Sequence, residues 1–234
     1  TRDLCAVMLR DTQRILQRDV EFINKRRIKK GQKPFEVLYS AEDVEKTIKM
    51  MVPINYDWEF KIHPKIKLKF LDAGHILGSA ITQLTFKDNS NEYIVVFSGD
   101  LGRKNLPILK DPEQVTEVDY LVMESTYGDR LHVDTENKAK VFLDIVSETL
   151  ENGGTVVIPS FAVGRTQEIL FELDKIKEQY SKDARFQEEY KELMAAPVYV
   201  DSPLAISATE VFKQNEDLFD DETKELMERG DNPL

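Results

Sequence analysis

The chain has 234 residues, 41% of them hydrophobic, and a formal net charge of −11. That length holds one large domain or two modest ones, with apolar content enough for a substantial core. The acidic balance argues against a protein that coats nucleic acid non-specifically, which needs clustered Lys and Arg. It leaves room for an enzyme that works on nucleic acid in a locally basic cleft. No apolar run approaches the roughly 20 residues that span a bilayer, so no membrane partner is expected. The start, Thr1-Arg2-Asp3-Leu4, has neither a leader pattern nor a Met, and the motifs below favour a piece of a longer protein. One cysteine, Cys5, excludes an intrachain disulfide and fits a reducing cytoplasm. In Leu4-Cys5-Ala6-Val7-Met8 it reads as a small buried helix residue.

Residues 2–23 read as an amphipathic helix with Leu4, Met8, Ile15 and Leu16 on one face. A basic run follows, Lys25-Arg26-Arg27-Ile28-Lys29-Lys30-Gly31-Gln32-Lys33-Pro34, which Gly31 and Pro34 mark as a loop. It is either a solvated connection or a phosphate-contacting patch. Ser40 then caps a new helix, with Asp43 in its first turn where negative charge suits the dipole. Strand patterns come next. Residues 65–71 alternate polar and apolar, residues 81–86 form a second strand, and the turn Asp88-Asn89-Ser90-Asn91 leads to a third. Tyr93-Ile94-Val95-Val96-Phe97 and Tyr120-Leu121-Val122-Met123 are continuous apolar runs, suited to strands covered on both faces.

Beyond about residue 135 helix and strand alternate. A helix over 136–152 turns Phe142, Ile145, Thr149 and Leu150 inward and stops at Gly153-Gly154. The strand Thr155-Val156-Val157-Ile158 runs into Pro159-Ser160-Phe161-Ala162-Val163-Gly164-Arg165 and a helix over 166–180, with Ile169, Leu173, Ile176 and Tyr180 on one stripe. The strand Val198-Tyr199-Val200 ends in Asp201-Ser202-Pro203, and a further helix begins near Ile206. Two such units in series imply a parallel sheet.

Chemistry concentrates at two strand ends. His75 in Asp72-Ala73-Gly74-His75-Ile76-Leu77-Gly78-Ser79 and Asp100 in Phe97-Ser98-Gly99-Asp100-Leu101-Gly102 each follow an apolar strand and are flanked by glycine. Imidazole and carboxylate are ligand types that zinc takes, and a carboxylate can bridge two metals. Alone, each residue has a plainer reading: a satisfied histidine, and an Asx turn.

These segments occur in order with Glu124-Ser125-Thr126-Tyr127-Gly128-Asp129-Arg130, with the loop ending in Arg165, and with Val200-Asp201-Ser202-Pro203-Leu204-Ala205. Together they resemble the β-CASP branch of the metallo-β-lactamase superfamily over essentially the whole chain, and most of all its RNA-directed nucleases. These include relatives of the pre-mRNA cleavage and polyadenylation endonuclease subunit. The resemblance implies an α/β fold: a partial αββα metallo-β-lactamase domain over 1–128, then part of an inserted β-CASP α/β domain with a parallel sheet over 129–234. It implies a site with two zinc ions, with His75 ligating one and Asp100 bridging both. Glu124 would stand beside them, orienting a histidine from farther along the chain. Metal-activated hydroxide would attack an RNA phosphodiester.

Arg165, just before a helix, either starts that helix or holds a phosphate. Ser160 and Phe161 could line the RNA groove, with Phe161 either stacking on a base or packing in the core. Ser202, beside Asp201, either contacts substrate or caps a helix. His132 lies in the loop between the expected domains as a candidate substrate contact, and His63 reads as an exposed turn residue. The family's His-x-His-x-Asp-His motif is absent. The expectation is therefore a chain inactive by itself, within a cytoplasmic ribonuclease whose partners are RNA and a second copy or a processing-complex subunit. A non-catalytic scaffold of the same fold and a DNA-directed or small-ester hydrolase are the alternatives.

Overall fold

The computed structural model describes residues 1–88, 91–131, 138–229 and 234. The sequence alternation of the first half becomes a five-stranded sheet in the order β1-β2-β3-β4-β5. Strands β1 (Phe60–His63), β2 (Ile66–Asp72), β3 (Ala80–Asp88) and β4 (Asn91–Phe97) form an antiparallel meander. Strand β5 (Tyr120–Val122) adds parallel to β4, so β2, β4 and β5 all end at the same edge of the sheet. One face is sealed: Leu71 pairs with Ile81 in register, and both pack with Ala73 and Val96, backed by Leu101, Val115 and Val118.

The other face differs from the sequence expectation. The β4 and β5 runs are not covered on both faces. Tyr93 and Phe97 are exposed, as are Tyr120, Leu121, Val122 and Met123. Continuous apolar character reports what a strand can pack against, and among the described residues nothing covers this edge.

Helix α1 (Arg2–Lys29) runs six residues past its expected end at 23. Lys, Arg and Ile carry the helix through the basic run, and Gly31 stops it with a left-handed φ of 66°. Of its expected inward face only Leu4 is fully buried, and Met8 and Ile15 stay exposed. Helix α2 (Ala41–Met50) begins as the sequence indicates. The Ser40 backbone N–H and hydroxyl donate to the Asp43 carboxylate at 2.8 and 2.7 Å, and the Asp43 N–H donates to Ser40 Oγ at 3.2 Å. A two-pronged Arg10–Glu45 pair, 2.6 and 3.0 Å, ties α1 to α2.

The second half is helical: α3 (Lys138–Glu151), α4 (Arg165–Lys182), α5 (Ala184–Glu189), α6 (Lys191–Ala195), α7 (Pro203–Lys213) and α8 (Asp221–Glu228). Helix α3 turns Leu143 and Ser147 inward with Phe142 and Leu150 alongside, and Ile145 faces solvent, a rotation from the expected stripe. Residues 155–158 and 198–200 form no strand among the described residues. They are irregular, with Val157 and Tyr199 both exposed, because a strand needs a neighbour to hydrogen-bond and none is present there. The parallel pairing in the structure is β4 with β5.

The principal core joins the two halves. Leu4 of α1, Leu77, Ile108 and Leu109 pack with Phe171 of α4, Ala208, Val211 and Phe212 of α7, and Phe219. Ile108 holds a left-handed φ of 74° while almost fully buried. Its carbonyl accepts from the Asp220 N–H at 2.9 Å, and Leu109 bridges to Phe219.

Candidate metal centre

Three residues singled out in the sequence meet at the common edge of β2, β4 and β5. His75 follows β2, Asp100 follows β4 and Glu124 follows β5. His75 Nε2 lies 3.9 Å from Asp100 Oδ2, and both side chains open to solvent. An imidazole nitrogen and a carboxylate oxygen this close would be able to hold one metal ion together. The donor chemistry fits zinc, although among the described residues no third His, Cys, Asp or Glu completes a metal-binding group with them.

The loops are held by their backbones. The Gly102 N–H donates to the Ala73 carbonyl at 2.8 Å, pressing the Asp100 loop onto the His75 loop. A Cβ on Gly102 would stand 1.7 Å from the Gly74 carbonyl oxygen, so only glycine allows this approach. Within the His75 loop, Ser79 Oγ accepts from the His75 and Ile76 N–H groups at 3.0 and 3.3 Å, and Asp72 Oδ1 accepts from Gly74 at 2.8 Å. Leu77, two residues past His75, is buried in the principal core.

Glu124 has a different role from the other two. Its carboxylate accepts from the Leu101 N–H at 2.7 Å, and its own N–H donates to buried Ser98 at 3.1 Å. The Leu101 N–H, then the Thr126 hydroxyl, hold the Glu124 carboxyl below the usual range, so it is charged at neutral pH. Glu124 thus fixes the residue after Asp100 and presents negative charge beside His75.

Sequence reasoning missed the supports behind this edge. The Tyr56 hydroxyl donates to the Ser79 carbonyl at 2.6 Å, and burial, then Asp72 and Glu113, push its pKa upward. The Glu113 carboxylate accepts from the Asp72 N–H at 3.0 Å, and burial pushes the Asp72 carboxyl up. Ser79 was visible as the end of its motif. Tyr56, in Ile54-Asn55-Tyr56-Asp57, carries no local signal.

The loop before α4 lies against the His75 loop, where a Cβ on Gly164 would meet Ile76 Cγ2 at 3.3 Å. Buried Gln167 organises it, accepting from the Gly164 N–H at 2.8 Å and donating to Ala162 and to Thr209 of α7 at 3.2 and 2.8 Å. Phe161 is 83% exposed, so it does not pack in the core. Ser160 Oγ lies 2.8 Å from the Thr166 hydroxyl. The Arg165 guanidinium is exposed and donates to Glu168 at 2.6 Å. Ser202 caps α7, accepting from the Ala205 N–H at 3.1 Å, and Asp201 is exposed before it. His63 is exposed, its Nδ1 accepting from the Lys65 N–H at 3.2 Å. His132 lies outside the described residues.

Fold and site define a mixed α/β protein that presents a histidine–carboxylate pair on glycine loops at neighbouring strand ends. Residues 166–233 match the Beta-Casp domain family. The chain is 33% identical over 199 residues to Ribonuclease TTHA0252 of Thermus thermophilus, covering 85% of this chain and 42% of that protein. It is 33% identical to an RNase J-like protein of Methanocaldococcus jannaschii, over 84% of this chain and 44% of the relative. Against transcription termination factor FttA of the same archaeon, identity is 32% over 98% of this chain and 34% of the relative. The chain therefore belongs to the β-CASP branch of the metallo-β-lactamase superfamily. It spans less than half the length of these relatives.

Proposed function

We propose that the protein carrying this chain is a zinc-dependent ribonuclease of RNA processing or decay, to which the chain contributes His75, Asp100 and Glu124. The observation that carries this reading is the convergence of all three at one sheet edge, with His75 and Asp100 3.9 Å apart. Bound zinc would supply an acidified water and charge stabilisation at the phosphoryl group. Asp100, 78% exposed and beside His75, is the carboxylate that would be shared between the ions. Glu124, charged and anchored on Leu101, is the residue to orient a histidine contributed by other parts of the protein.

Phe161 offers a stacking face next to this edge, and the Arg165, Ser160, Ser202 and His132 positions are the proposed substrate contacts. The names of the relatives, two ribonuclease-type proteins and a termination factor, support RNA as the partner. The exposed apolar edge at β5 fits further coverage, by the rest of the protein or by a second subunit. The chain alone, with two ligands of a larger set, is proposed to be inactive.

The test gives the whole protein matched RNA and DNA oligonucleotides with zinc. RNA is expected to be cut, and Asp100→Ala is expected to abolish both zinc occupancy and cutting. Cleavage of DNA alone would contradict the RNA assignment, and full zinc occupancy in the variant would contradict the bridging role. An unaltered protein that binds no zinc and cuts neither strand would point to the scaffold alternative.

A further inference from the structure

The C-terminal end of α1 carries a feature that the metal centre does not use. Lys25, Arg26, Arg27, Lys29, Lys30 and Lys33 place six positive charges in nine residues of a chain whose net charge is −11, with no acidic residue from Asn24 to Phe35. None of the six is ion-paired among the described residues. A helix C-terminus favours cations, which accounts for Arg26, Arg27 and Lys29 in the last turn and for Lys30 at the C-cap, but not for Lys25 or Lys33.

The segment is built, where the sequence left open a solvated connection or a phosphate-contacting patch. Residues 30–35 fold back on α1 because the Asn24 amide grips the Phe35 backbone from both sides. Its Nδ2 donates to the Phe35 carbonyl and its Oδ1 accepts from the Phe35 N–H, each at 2.8 Å. Arg27 Nε donates to the Lys33 carbonyl at 2.8 Å, and its guanidinium lies 4.0 Å from the Phe35 ring centre. Arg26 sits 4.7 Å over the Phe22 ring. Both rings remain about half exposed, at 57% for Phe22 and 52% for Phe35. Unpaired cations interleaved with exposed aromatic faces are the chemistry of a surface that follows a single-stranded phosphate backbone and stacks its bases.

Helix α1 also fixes where this surface lies. At its other end the Thr1 hydroxyl donates to the Gly78 carbonyl, three residues from His75, and Leu4 packs with Leu77. A helix of 28 residues is about 42 Å long, so the basic end stands roughly that far from the metal loop. At about 3.4 Å per stacked nucleotide that span takes roughly 12 nucleotides.

We infer that the clamped basic–aromatic end of α1 is a second RNA-binding surface that holds the substrate strand about 40 Å from the cutting site, at the end of a rigid helical arm. This deepens the ribonuclease reading and rests on it for the identity of the strand. Charge complementarity names the partner: a polyanion on a basic surface, carried by an otherwise acidic protein.

The test uses the whole protein in EDTA, so that nothing is cut, with single-stranded RNAs of 6 and 24 nucleotides. The variant carries Lys25→Gln, Lys29→Gln, Lys30→Gln and Lys33→Gln together. These four side chains are exposed and make no side-chain hydrogen bond or ion pair among the described residues, so the fold is not at stake. The unaltered protein is expected to bind the longer RNA more tightly. The variant should lose about tenfold in affinity for it, and its slope of log affinity against log salt should fall by roughly 2 to 3, at about 0.7 per phosphate contact. Equal affinity and equal slope in the two proteins would overturn the inference. So would unchanged RNA affinity with lost binding to phosphatidylserine vesicles, which would reassign the surface to lipid. Because binding is read without cleavage, a protein that cuts no RNA would sink the proposed function and leave this surface standing.

Discussion

At the residue scale, the site depends on contact between two backbones more than on any side chain. Gly102 and Gly74 touch where the Asp100 loop crosses the His75 loop, and this contact sets how the two side chains face each other. Gly102→Ala forces the loops apart, since a Cβ there has no space. We expect a loss of about 3 kcal/mol in unfolding free energy, together with weaker metal binding by the whole protein. An unchanged denaturation midpoint would contradict this. The sequence made the His75 and Asp100 loops legible through their glycine flanks, because glycine marks sharp turns wherever it stands. It did not make Tyr56 legible, because that residue acts through one hydrogen bond to a carbonyl 23 positions away. Nothing in its own neighbourhood encodes such a contact.

At the element scale, local signals carried furthest. The α2 start follows from Ser40 and Asp43 alone, and Ser40→Ala should cost about 1 kcal/mol of stability by denaturant titration. The same cap carries a pH dependence. The Ser40 backbone N–H, then its hydroxyl, hold the Asp43 carboxyl below its ordinary 3.8. A lowered acid stabilises the fold above its ordinary value, and that contribution is lost as pH falls through the folded value. Asp43→Asn should therefore be less stable than the unaltered protein at pH 7, with the gap closing below pH 3.8. A gap equally wide at pH 2 would contradict the cause assigned. The basic run reads as a loop because charge suggests solvent, whereas α1 continues through it to Lys29 because Lys and Arg are also good helix formers. The absent strands at 155–158 and 198–200 failed for the opposite reason. Their composition suits a strand, but pairing needs a partner that composition does not specify.

At the scale of the whole molecule, the described residues leave much apolar surface uncovered. Tyr120, Leu121, Val122 and Met123 stand in sequence along the β5 edge, each more than half exposed, with unpaired backbone groups beside them. An apolar open edge recruits other chains. Expressed alone, residues 1–234 should elute above monomer mass on size exclusion and bind a hydrophobic dye. A monodisperse monomer with no dye binding would contradict this. Among the described residues no helix is long and apolar enough to cross a membrane. The fold class was legible here through the order of its motifs. The state of burial was not, because a sequence tells which residues can be buried and not what buries them.

The core that joins Leu77 to Phe171 and Phe212 bears on how such a protein can be rearranged during evolution. The change in sequence texture near residue 130 looks like a natural crossover point for recombination. Yet a segment exchanged there would arrive with helices shaped for another neighbour's leucine, two positions from His75. Shuffled descendants would need compensating changes on both sides of the junction at once, so the two halves are expected to be inherited together.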